Sequence, residues 1–179
     1  MRDWNVVISI YQDGFRRVIH ALKDLGTVER SLYYNVLVMK ADDAIGLLES
    51  VERKTEESPA LYDAISRVAP AMRNFEFRSA DEFKEKAGSM LREWSQRLAG
   101  RSFHVRLHQR GAIHELETSD TEKFLDDTAL AATSEIGAPG KLSFTDPDIV
   151  VAIDTVDDRA GVALWAREDL ARHRLLRPD

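Results

Sequence analysis

The sequence contains no cysteine, which removes disulfides, a thiolate nucleophile and thiolate metal ligation, and with them any need for an oxidising compartment. Proline and glycine are sparse, at five and nine residues in 179. With 44% hydrophobic and 31% charged residues, the balance is that of a folded chain and not of a fibrous or disordered one. No apolar run approaches the length of a membrane span. Met1-Arg2-Asp3-Trp4 leads straight into a strand-like run without the apolar stretch of a secretory signal, so the expectation is a cytoplasmic protein with no membrane partner. Positive charge is also in deficit: 25 Lys and Arg face 31 Asp and Glu, a formal charge of −6. As a total, that disfavours a nucleic-acid partner, because phosphate contacts need local cations.

What is present divides into two units, expected over 1–78 and 79–179. Trp4 to Ile10 is rich in β-branched residues and stops at Asp13-Gly14, as a buried strand does. Phe15, Val18, Ile19, Leu22 and Leu25 recur at helical spacing, with Asp13 as the expected cap. Two strands follow, Thr27 to Arg30 and Tyr33 to Met39. A second helix opens at Asp42 with Ile45, Leu48 and Val51 inward, and Arg53 to Ser58 is polar enough to read as loop. One last strand is expected between Ile65 and Phe77, where Pro70 assigns it to an edge or a bulge. This strand and helix order is that of a ferredoxin-like unit.

The second unit begins where Ser79 and Glu82 form a capping box ahead of Phe83, Ala87, Met90, Leu91, Trp94 and Leu98. Phe103, Val105 and Leu107 alternate with His104, Arg106 and His108, the period-two pattern of a half-buried strand. Ser119 with Glu122 predicts another capped helix, and strands are expected at Leu142 to Phe144, Ile149 to Ile153 and Gly161 to Trp165. The negative total conceals a segregation. Residues 92–114 hold five arginines, three histidines and one acid, whereas 115–158 hold two lysines and twelve acids.

Strand geometry would align His104, Arg106, His108 and Arg110 on one face, which reads either as an ordinary solvated face or as a phosphate-contacting row. A metal site lacks a third ligand at a characteristic spacing. His114-Glu115 lacks the second histidine of a zinc-protease helix, since position 118 is Thr118. Asp146-Pro147-Asp148 and Asp157-Asp158 read as turns. Gly137 to Lys141 lacks the spacing of a phosphate loop, and neither a dinucleotide fingerprint nor a nucleophile elbow occurs. The expectation is therefore no catalytic residue, no metal and no cofactor.

Three stretches carry a resemblance: Phe103-His104-Val105-Arg106-Leu107-His108-Gln109-Arg110-Gly111, Asp146-Pro147-Asp148-Ile149-Val150-Val151 and Ala160-Gly161-Val162-Ala163-Leu164. In these the second unit resembles a THUMP domain, an RNA-binding module of tRNA-modifying systems, and the ferredoxin-like unit matches that module's usual N-terminal companion. The chain is most similar to the stand-alone accessory proteins that present tRNA to a cytidine acetyltransferase. The resemblance implies an α+β fold, a ferredoxin-like unit packed on an α/β THUMP domain. It further implies a non-catalytic adaptor that holds the acceptor stem and 3′ end of tRNA for a separate modifying enzyme, with Arg101, His104, Arg106, His108, Arg110 and Gly111 as the RNA-binding residues. The alternative is a protein-interaction module of the same fold that acts through its acidic face.

Overall fold

In the computed structural model, which describes residues 1–111 and 116–177, the β-branched N-terminal run forms β1 (Val6–Ile10), with Val6, Val7 and Ile8 fully buried. It is followed by α1 (Phe15–Leu22), β2 (Thr27–Arg30), β3 (Val36–Lys40), α2 (Leu47–Glu57), α3 (Pro59–Tyr62) and β4 (Ile65–Pro70). The sheet order is β2-β3-β1-β4, and every neighbouring pair is antiparallel. This is the ferredoxin-like arrangement, in which the two apolar strands take the middle. Pro70 lies on the edge strand, where a missing N–H is tolerated. This edge is engaged by the C-terminal segment: Val68 N–H donates to the Leu175 carbonyl at 2.8 Å and Arg67 Nε to the Leu176 carbonyl at 3.2 Å. The described residues from Leu170 onward accordingly group with Met1–Asn74, and Phe75–Asp169 form the other unit.

Local expectations shift in three places. Asp13 does not cap α1; it takes a left-handed backbone (φ 67°), and the N-cap is Gly14 with no side-chain bond. Helix α2 starts at Leu47 because Gly46 N–H bonds the Asp43 carboxylate at 2.9 Å in the preceding turn, which leaves Ile45 exposed. Its polar tail from Arg53 is helical, since one buried stripe of Leu47, Leu48, Val51 and Thr55 suffices to hold it.

The second unit runs β5 (Arg73–Glu76), α4 (Ala80–Glu93), α5 (Ser95–Leu98), β6 (Ser102–His108), α6 (Thr118–Glu135), β7 (Lys141–Leu142), β8 (Ile149–Val156) and β9 (Arg159–Ala166), and α7 (Arg167–Arg172) follows. Where one strand was expected between Ile65 and Phe77 there are two, one in each sheet. The second sheet has the order β5-β9-β8-β6-β7, with β6 parallel to both its neighbours and β8 antiparallel to β9. Ser79 Oγ accepts from Glu82 N–H at 3.1 Å, as its capping box requires. Ser119 caps nothing: α6 begins one residue earlier without a side-chain cap, and Glu122 turns to the sheet instead. No helix among the described residues is long and apolar enough to cross a membrane.

Candidate nucleic-acid interface

Strand β6 is the element on which the candidate residues converge, and its environment corrects the expected half-buried strand. A strand flanked by parallel neighbours is covered on both faces. Ser102, Phe103, His104, Val105 and Leu107 are all buried, while Arg106 and His108 are half-buried. His104 is 1% exposed, its ring 5.8 Å from that of Phe144. It is a core residue, so no solvated row of four forms.

Partner β7 is two residues long and pairs only with Ser102 and Phe103, so the later N–H groups on that side of β6 need other acceptors. Helix α6 supplies them. Asp126 Oδ1 accepts from Val105 N–H and Glu122 Oε1 from Leu107 N–H, each at 2.8 Å. The geometry follows from two repeats: four residues of helix advance about 6 Å, and two residues of strand about 6.6 Å. Burial pushes the Asp126 carboxyl up to about 7, opposed by the Val105 hydrogen bond and reinforced by the charges of Glu122 and Asp127, while Arg106 lowers it.

Beyond β6 the chain is fastened to the β8–β9 hairpin. Arg110 N–H donates to Thr155 Oγ1 at 3.0 Å, Arg110 Nη1 to Asp154 Oδ1 at 3.1 Å, and Asp157 N–H to the Arg110 carbonyl at 2.9 Å. A side chain at Gly111 would place its Cβ 3.0 Å from the Asp157 carbonyl oxygen, so the close approach that requires glycine here is to the protein itself. Arg106, His108, Arg110 and Gly111 thus belong to one end of β6. Arg101 does not join them. It precedes the strand, roughly 20 Å away at about 3.3 Å per residue, and lines a cavity of about 260 Å³ with Arg97, Ile149, Leu164, Ala166 and Asp169.

The residues that sequence reasoning missed are the acids that build this frame. Asp148 accepts from both the N–H and the Oγ of Ser102 at 2.8 Å, bonds that hold its carboxyl below the usual range. Arg167 Nε meets Asp146 Oδ1 at 2.9 Å. With Glu122, Asp126 and Asp154, much of the acidic stretch is committed to internal bonds. A usable signal was Glu122 and Asp126 at i and i+4, beside the buried Thr121, Leu125 and Ala129 of the same helix. The His114-Glu115 pair lies outside the described residues, among which no three His, Asp or Glu side chains gather as a metal site.

No family model and no curated protein matches the sequence. Solved structures match the fold. The chain superposes on PH1313 from Pyrococcus horikoshii Ot3 with a TM-score of 0.59 and 14% identity over 89% of this chain and 53% of that one. It superposes on a possible methylase from Clostridium difficile 630 with 0.56 and 14% over 90% and 40%. A 4-thiouridine synthetase in complex with RNA and bound ATP gives 0.52 and 13% over 89% and 40%. The chain therefore spans about half or less of the length of the structures it matches. The expectation of a non-enzyme is corrected here, because structures of this fold include a possible methylase and a 4-thiouridine synthetase. What these likenesses establish for the chain itself is its mixed α+β, two-sheet fold.

Proposed function

We propose that the chain is a tRNA-binding module of an RNA-modifying system, holding the acceptor stem and 3′ end and presenting them to the modifying centre. The observation that carries this reading is the fastened turn after β6. Arg110 is fixed in place by Asp154, Thr155 and Asp157 beside the half-exposed Arg106 and His108. Cationic donors held in place by a scaffold position a phosphate backbone without reading its bases, which suits an A-form stem. Arg101 meets phosphates farther along the same RNA. Support also comes from the fold shared with the synthetase solved in complex with RNA. The partner class we name is a cytidine acetyltransferase, which follows from the family resemblance.

The test is a tRNA shift assay at low salt. Arg106→Ala is expected to weaken binding about tenfold and to reduce the salt slope by about one. Arg110→Ala should weaken it further but also removes the ion pair with Asp154, so both variants are assayed with circular dichroism confirming that they are folded. Absence of any shift at about 50 mM salt, with and without the acetyltransferase, overturns the reading.

A further inference from the structure

All four tyrosines of the sequence, Tyr11, Tyr33, Tyr34 and Tyr62, stand at one end of the first sheet. Tyr11 follows β1, Tyr33 and Tyr34 lie in the β2–β3 turn, and Tyr62 closes α3 just before β4. Antiparallel pairing brings these loops together: Ile10 N–H bonds the Asn35 carbonyl at 2.9 Å and Tyr11 N–H the Ala64 carbonyl at 3.0 Å. Tyr34 is 75% exposed, Tyr11 49% and Leu32 92%. The turn that projects Leu32 and Tyr34 is tied down, since Ser31 Oγ accepts from Tyr33 N–H at 3.1 Å and donates to the Val36 carbonyl at 2.9 Å.

Guanidiniums meet several of the rings at this end. Arg30 lies 4.3 Å over Phe15, the residue that opens α1, and Arg174 lies 5.6 Å over Tyr62. Arg177 reaches the hydroxyls of Tyr11 at 3.4 Å and Tyr62 at 3.5 Å. Arg16 and Arg17 stand in the first turn of α1, and the nearby acids are Asp13, Asp63 and, at the end of α2 just before α3, Glu56 and Glu57. A dry protein interface would present contiguous apolar area. Here exposed rings share one end of the sheet with arginines that contact Phe15, Tyr11 and Tyr62, the combination on which unpaired bases stack while the backbone phosphates meet arginine.

We infer that this end of the first unit binds single-stranded nucleic acid, with bases stacked on Tyr34 and Tyr11 and phosphates held by the flanking arginines. It is a second site, on different elements from the β6 turn, and it requires no duplex. The experiment measures binding of the full chain to a ten-nucleotide oligoadenylate and to a blunt RNA duplex, with circular dichroism confirming that each variant is folded. Tyr34→Ala and Tyr11→Ala are each expected to weaken oligoadenylate binding about fivefold or more. Tyr34→Phe keeps the ring and should retain affinity, and duplex binding should not change in any of the three. Loss of oligoadenylate binding in Arg106→Ala with none in Tyr34→Ala would overturn the inference, as would no binding by the wild type at low salt. So would a protein partner captured on Tyr34 in the absence of oligonucleotide binding. If oligoadenylate binds through Tyr34 while tRNA does not bind the β6 turn, the proposed function falls and this site stands.

Discussion

Asp126 shows how one buried carboxyl couples the sheet to pH. Unfolded, an aspartate titrates near 3.8, whereas here burial raises it to about 7. Across that window the folded state retains a proton that the unfolded chain has released, so folding stability falls as pH rises from about 4 to about 7. Asp126→Asn keeps an acceptor for Val105 N–H and removes the charge. It is expected to raise the melting temperature at pH 8, to change it little at pH 4, and to flatten the dependence between them; thermal unfolding over a pH series measures this, and an unchanged slope would refute it. His104 belongs to the same scale. Because its ring is buried against Phe144, His104→Ala should cost about 2 kcal/mol or more in stability, while the folded variant keeps its RNA affinity. Denaturant unfolding alongside a shift assay separates the two effects.

Among the elements, those whose ends are set by neighbours in sequence were readable and those set by distant partners were not. Ser79 meets Glu82 three residues on, so the start of α4 is written locally, and Ser79→Ala should cost about 1 kcal/mol in urea unfolding. Helix α6 follows the other rule. Its position is fixed by Glu122 and Asp126 reaching β6 across 15 and 21 residues of sequence; their i and i+4 spacing puts both on one face but does not name the strand they reach. The terminal segment behaves likewise: Leu175 and Leu176 are 1% and 2% exposed, and their carbonyls engage the edge of β4. Leu176→Ala is expected to cost about 2–5 kcal/mol, detected in the same urea titrations. A surface-tail loss of a few tenths would show that the segment is not part of this unit.

For the whole molecule, net charge is a poor guide to partners, because position decides which charges face solvent. Of the twelve acids in residues 115–158, Glu122, Asp126, Asp146, Asp148 and Asp154 bond backbone N–H groups or arginines of the same unit. Salt-dependent binding is expected at the proposed β6 site and on the tyrosine-bearing loops. The segregation into basic and acidic stretches was visible in the chain; the bonds that these five acids make required the fold.

The sequence by itself determined the order of strands and helices in the first unit, the α4 cap and the apolar runs that became β1, β6, β8 and β9, because side-chain period and local hydrogen bonds act over a few residues. Only the tertiary structure decided that His104 is core, that Arg101 is far from Arg110, that Gly111 serves a contact with Asp157, and that four tyrosines share one end. Strand pairing brings together residues that are distant in sequence, and burial then sets which of them can meet a ligand.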